Sequence, residues 1–316
     1  MTYASGGLIQ AADFNSLAGG STANVSGEIN SIWATGNGNA GWGQTAVANV
    51  AASGTVTAAS QWTSLITAVN NARLHTLGTG SGLAAPASGG TIAWLNGVAS
   101  NTSLAYTNRL STFAYGTTIT GSTYTASATA ATNVNYPETT LGAYRYVTFS
   151  SGNACRYFFN AGGKINFVVT NVVNNDATAR SASARTLLLT NFAGWGNFAA
   201  YTSSGRTGTG GTVNTNLTSY GYYNLSPGGN WTYICQITST TASYTADFMK
   251  FYMASTTAAN LNGNGDNGST LQFAVNFSSP AHTWNASLNI TMSYRIDIIP
   301  PETTYLTNSW GTPTVT

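Results

Sequence analysis

Gly162, Gly163 and Lys164, in the run NAGGKINFVV, are residue types that could cradle a phosphate. A Walker-type loop needs Gly-x-x-x-x-Gly-Lys-Ser/Thr leading into a helix, so that loop amides and the helix N-terminus meet the phosphates while the hydroxyl binds magnesium. Here Phe158 stands where the first glycine belongs and Ile165 where the hydroxyl belongs. Ile165, Phe167 and Val169 then alternate with Asn166 and Val168, the period of a strand with one apolar face. The spacing predicts strand, glycine turn, strand, with Lys164 as a solvated residue at the strand edge.

Hydrolysis asks for paired carboxylates, or for a nucleophile beside a base. The chain has eight acids, Asp13, Glu28, Glu138, Asp176, Asp247, Asp266, Asp297 and Glu302, and their spacing forms no motif. His75 falls near the end of a helical pattern, where an imidazole suits the carbonyl-rich terminus, and His282 lies in a loop. NGNGDNGS offers one carboxylate, Asp266, and no closing Glu, too few oxygens for calcium. Its Asn-Gly and Asp-Asn-Gly steps suit a hairpin turn. Aromatic residues carry the stronger functional signal. Trp195, Tyr220, Tyr222, Tyr223, Trp231 and Trp284 lie in or beside polar, glycine-rich stretches, where an exposed ring could stack on a sugar face or wedge into a neighbouring subunit, while core packing is the expected role of most of them.

Composition narrows the classes further. Only 6% of the 316 residues are charged, against about 25% in ordinary soluble domains. No segment approaches the roughly 18 consecutive apolar residues of a membrane span. The surface must then be Thr, Ser, Asn, Gln and Gly, which gives little charge repulsion between molecules and suits assembly. The net charge of +2 is scattered, without the basic cluster that nucleic-acid binding needs. Cys155 and Cys235 sit in runs that read as strands and are expected to be separate buried thiols. Residues 1–20 lack the basic start and apolar run of a signal peptide, so export by the general secretion route is not expected. No cofactor is implied.

The elements that position these residues change character along the chain. In residues 1–115 the spacing is helical: Trp62, Leu65, Ile66 and Val69 recur at three and four, with Thr57 as a cap and Gly78 after the last turn. An earlier helix through Phe14, Leu17, Ile29, Ile32 and Trp33 is interrupted by Gly19, Gly20 and Gly27, each costing about 1 kcal/mol relative to Ala, and divides in two. A third runs from Ile92 through Leu95, Val98 and Leu104 toward Phe113. Residues 116–140, rich in Thr, Ser and Ala, read as an extended linker. From Leu141 the period is two, clearest in SLNITMSYRIDII, TLQFAVNF and YTADFMKFYMA. AYRYVTFSS, CRYFFNAGG, KINFVVTNV and WTYICQITS add further strands. The expected fold is α+β and mainly β: a short helical N-terminal part, then an antiparallel β-sandwich of jelly-roll-like topology over residues 141–316.

The strings LIQAADFNSLAGG, INSIWATGNGNAGWGQ, ASQWTSLITAVNNARLHTLG, YFFNAGGKINF and NGNGDNGSTLQFAVNF together resemble a family of tail-fibre-like virion structural proteins from tailed phages of marine cyanobacteria. The resemblance covers most of residues 7–280. It implies a component on the particle exterior rather than an enzyme, with no catalytic residues to carry over. The expectation is a structural subunit of a tail, neck or head appendage. It would assemble with itself, as a trimer, and with other virion proteins through Phe14, Leu17, Ile29, Trp33, Trp62, Leu65, Ile66 and Val69. The alternatives are a host-surface glycan-binding module and, third, a glycan hydrolase. Neither nucleic acid nor membrane is an expected partner.

Overall fold

Period-two alternation sorts strand side chains into an apolar and a polar face, and two antiparallel sheets close on the apolar ones. The computed structural model describes residues 11–50, 58–88, 95–130, 139–202, 205–216, 220–256, 268–280 and 287–316. Within them lie β1 (Ile119–Thr120), β2 (Tyr124–Ala130), β3 (Thr139–Thr148), β4 (Lys164–Asn174), β5 (Gly194–Phe198), β6 (Thr212–Thr215), β7 (Thr232–Thr238), β8 (Phe248–Ser255), β9 (Thr270–Ser279), β10 (Leu288–Ile299) and β11 (Thr314–Val315). One sheet has the order β1-β10-β4-β5, with β2 also paired to β10; the other runs β11-β3-β9-β8-β7-β6. The fold is thus α+β, mostly β, and a sandwich. β2, β3 and β4 alternate between the sheets and β9 and β10 return beside them, the wrap of a jelly roll, whereas β6 to β9 run as a meander.

Aromatic rings fill the space between the sheets. Phe167 of β4 meets Phe251 of β8 at 5.6 Å and stacks on Tyr294 of β10 at 5.4 Å, and Phe198 of β5 lies edge-on to Phe273 of β9 at 5.4 Å. Each buried ring removes apolar surface worth roughly 2–3 kcal/mol from water. The inward residues of β4 change parity along the strand, from Ile165, Phe167 and Val169 to Val172. A bulge permits this: Val169 faces Tyr294 but Asn171 faces Ser293, so Thr170 is the extra residue. The bulge keeps both halves of β4 opposite the unbroken inward row of β10.

The stretch 116–140 departs from the linker reading. Its described part contains β1 and β2, and β2 pairs with β10 over seven positions, from Ala130 opposite Leu288 to Tyr124 opposite Tyr294. The boundary expected at Thr140 therefore falls inside β3, a strand of the same sandwich. Residues 131–138, with Glu138, lie outside the described residues, as do His282, Asp266 and most of the NGNGDNGS turn.

Helices α1 (Ala11–Ala18), α2 (Asn30–Trp33), α3 (Ala59–Leu77) and α4 (Leu95–Thr107) form the N-terminal layer. The glycine-rich gap does divide the first helical pattern: α1 stops before Gly19, whose φ is +74°. α3 ends at Gly78 in the left-handed conformation, as its sequence requires. At its start the Ala58 N–H donates to Gln61 Oε1 at 2.8 Å; the expected cap, Thr57, lies outside the described residues, as does Ile92.

CRYFFNAGG is a correction. It forms helix α5 (Gly152–Asn160), not a strand, so NAGGKINFVV joins a helix to β4 rather than closing a hairpin. The Ala154 N–H donates to Ser151 Oγ at 3.0 Å, an N-cap, and Cys155, Phe158 and Phe159 share the buried side at helical spacing. Gly162 turns the chain at φ +91°, and a Cβ on Gly163 would lie 2.6 Å from the Phe158 ring. Lys164 opens a strand with its Nζ 4.6 Å from the centre of the Tyr115 ring. Strand rather than helix follows the lysine, which removes the geometry of a phosphate loop. A further short helix, α6 (Ala179–Arg185), runs into a π-helical segment, Thr186–Phe192. Cys155 and Cys235 are both buried and form no disulfide.

The loop Thr35–Gly43 joins the helical layer to the sandwich. Trp42 is fully buried in it, and its indole N–H is shared between the carbonyls of Arg109 and Asn160, both at 3.0 Å. The Asn160 amide donates to the carbonyls of Gly38 and Ala40, each at 3.0 Å, and the buried Arg156 guanidinium reaches Thr35 and Ala40, each at 2.6 Å. Gln44 ties in the C-terminal segment: its amide donates to Thr307 O at 3.0 Å and its Oε1 accepts from Thr307 N at 2.8 Å.

His75 belongs to the same joint and does not cap its own helix. It is buried, edge-on to Trp42 at 5.0 Å, with Nε2 3.0 Å from the Ala161 carbonyl. Burial lowers its pKa from 6.5 to about 4, against the Ala161 carbonyl and Glu302, which both favour the charged form. The neutral ring donates Nε2–H to Ala161. As pH falls below 6.5 the unfolded chain binds a proton that the folded chain refuses. Stability present above that pH is then lost down to about pH 4, by about 3 kcal/mol. Urea midpoints at about pH 7 and about pH 4.5 should separate accordingly, and His75→Gln, which keeps a donor, should remove that part of the separation. A parallel fall in both proteins would exclude His75 as the titrating group.

Candidate functional site

The helical residues expected at a subunit interface are spent inside the chain. Phe14, Leu17, Ile29, Trp62, Leu65, Ile66 and Val69 are all buried, with Phe14 edge-on to Trp62 at 5.2 Å. Trp33 is half-buried, and its indole donates to Thr45 O at 3.0 Å. The helices pack on one another and meet the sandwich through the Trp42 joint.

Most of the aromatic candidates are also interior. Trp195 stacks on Phe251 at 5.3 Å between the sheets, and Tyr220 is buried. Tyr222 stacks on Phe159 at 4.8 Å and its hydroxyl donates to Gly268 O at 3.1 Å. Tyr223 serves the joint, with its hydroxyl 2.6 Å from Asn160 Oδ1 and its ring stacked on Tyr201 at 4.4 Å. Trp284 lies outside the described residues. Trp231 alone among the five described is an open ring, 44% exposed.

Trp231 borders a groove of about 280 Å³ on the outer face of the six-stranded sheet. The walls are Tyr144, Trp231 and Tyr252; Gly142, Ala143, Ala274, Val275 and Asn276 complete the lining. Strand register explains the arrangement. Gly142 of β3 pairs with Asn276 of β9, and Tyr144 with Ala274, which pairs in turn with Tyr252 of β8. Rows of large and small side chains thus cross the sheet side by side, and the small ones form a floor between rings. A Cβ on Gly142 would meet nothing within 4 Å, so the space above it is open.

The groove pairs flat apolar walls with sparse hydrogen-bonding groups. Asn276 is exposed and offers both a donor and an acceptor. Burial pushes the Tyr252 and Tyr233 phenols above their ordinary value, so both remain protonated at neutral pH. Gln272, two residues from Ala274 on the same strand, has a buried Oε1 without a hydrogen-bond partner. Among the described residues no carboxylate lines the groove, and no cluster of His, Cys, Asp or Glu could hold a metal. No helix of the described residues is long and apolar enough to cross a membrane.

Reading loops for aromatics found Trp231 but missed Tyr144 and Tyr252. The signal was present in the strands. LGAYRYVT and FMKFYMAS carry rings on the face that alternation assigns to solvent, where a half-buried strand ordinarily shows polar residues. No protein-family model matches the chain, and no curated protein or solved structure matches it either.

Proposed function

We propose that the chain is an exterior structural subunit of a phage particle whose sandwich holds a saccharide in the groove between Tyr144, Trp231 and Tyr252. The groove itself carries the reading. Pyranose C–H groups bear partial positive charge and settle on the negative faces of aromatic rings, while ring hydroxyls take the few polar groups at the rim. An appendage role is supported by the resemblance of the strings in residues 7–280 and by the nearly uncharged composition.

Two substitutions test the groove against the fold. Trp231→Ala removes a wall and should weaken oligosaccharide binding at least about tenfold, or about 1.4 kcal/mol. Gly142→Leu fills the floor; no strained φ opposes it, and a larger side chain raises strand propensity, so melting temperature should hold or rise while binding disappears. Calorimetric titration against a panel of oligosaccharides measures both. Undiminished binding by a stable Gly142→Leu protein would place the ligand elsewhere, and no binding to any saccharide by the wild type would end the proposal.

A further inference from the structure

We infer that the saccharide is acidic, bearing a carboxylate or sulfate that Lys250 receives. The inference rests on the groove being a saccharide site and concerns which saccharides it takes. Lys250 lies on β8 two residues before Tyr252, so its Cα is about 7 Å from that of the groove wall and on the same face. Across the sheet it pairs with Asn276, which lines the groove, and on the other side with Gln236. Its Nζ is held over two rings, 5.0 Å from the centre of Phe248 and 5.7 Å from that of Tyr233. The ammonium therefore has aromatic faces beneath it, and among the described residues no carboxylate beside it. The described acids lie elsewhere: Asp13 on α1, Glu28 before α2, Asp176 after β4, Asp247 buried before β8, Asp297 on β10 and Glu302 beyond it.

The other cation of this region does not compete. Arg145 turns inward, its guanidinium 3.5 Å from the centre of the Tyr124 ring and its Nη1 donating to Tyr144 O at 2.7 Å. Beside the groove the outer face thus offers the Lys250 ammonium, the exposed amide of Asn276 and a row of rings. A sugar ring seated on Tyr252 brings an exocyclic anionic group within reach of Lys250, while a neighbouring hydroxyl meets Asn276. A neutral sugar would gain the stacking and forgo the charge-assisted bond, which is about twice as strong as a neutral one.

The test compares an oligogalacturonide, a sulfated galacto-oligosaccharide and the neutral galacto-oligosaccharide of equal length, titrated into the full chain. At low salt at least one acidic ligand should bind about tenfold more tightly than the neutral one. Raising ionic strength from about 0.01 M to about 0.15 M cuts the screening length from about 30 Å to about 8 Å, so the preference should shrink. Lys250→Gln should abolish the preference and leave neutral binding unchanged, and Lys250→Arg should restore much of it. Equal affinity for all three ligands, or a preference that survives Lys250→Gln, overturns the inference and leaves the groove as a saccharide site. Binding of none of them overturns the inference together with the groove.

Discussion

Arg156→Met should lower the free energy of unfolding by about 3–5 kcal/mol, because it removes one member of a buried, fully engaged polar set. Arg156 is wholly buried, yet the groups it meets are carbonyls rather than carboxylates. Nη2 donates to Thr35 O at 2.6 Å; Nη1 donates to Ala40 O at 2.6 Å and to Gly38 O at 3.2 Å; Nε donates to Asn153 Oδ1 at 3.3 Å. Methionine fills similar space but takes the donor from Thr35 O and Asn153 Oδ1, each unpaired oxygen a loss of about 1–3 kcal/mol, and leaves Ala40 O and Gly38 O each with one donor fewer, the Asn160 amide remaining. The loop cannot relax cheaply around the gap. A Cβ on Gly36 would lie 2.3 Å from Ala40 O and one on Gly41 2.0 Å from Thr35 O, so its backbone is already folded tightly on itself. Denaturant titration measures the loss, and Trp42 emission should shift red as the joint admits water. Arg156→Lys keeps the charge but not the planar fork and should recover only part of the loss. A change below about 1 kcal/mol would mean that the loop holds its shape without the guanidinium.

Trp62→Ala should cost about 3–5 kcal/mol, the range for emptying a large aromatic site in a core. The ring is 1% exposed and meets Phe14 edge-on, so its loss unseats α1 from α3. One factor draws the value toward the lower end: the indole Nε1 is buried without an acceptor, and deleting it removes an unsatisfied donor. The loss should appear in the stability of a single chain. Sedimentation of the protein that remains folded should match the wild type, since Trp62 has no exposed surface to give a partner. A stable variant with altered sedimentation would return this helix to an intersubunit role.

Legibility followed the range of the forces involved. Alternation in SLNITMSYRIDII identified the buried side of β10 residue by residue, because it depends on nothing beyond the strand itself. The same rule could not say what lies across from it. Met292 faces Ala126 on one side and Val172 on the other, and no local pattern announces such distant pairings. The linker reading of 116–140 failed there: Thr, Ser and Ala form an acceptable strand once β10 supplies the ladder. CRYFFNAGG failed for a different reason. Tyr157, Phe158 and Phe159 favour strands, but Ser151 caps a helix and the inward positions fall three and four apart. The groove was readable only in fragments, since its walls come from three separate segments that the register of β3, β9, β8 and β7 draws together.

The place of β10 in its sheet bears on the order of biosynthesis. It is the strand on which β1, β2 and β4 all pair, yet it comes after them in the chain, at Leu288–Ile299. While a ribosome is still making the segments before it, β2 and β4 have no shared neighbour, and both present open edges to other nascent chains. Closure must wait for a late segment to insert between early ones, a search over long loops that slows folding well below the rate of local structures. Soluble yield should therefore respond more to translation speed, growth temperature and chaperone supply than the stability of the finished sandwich would suggest.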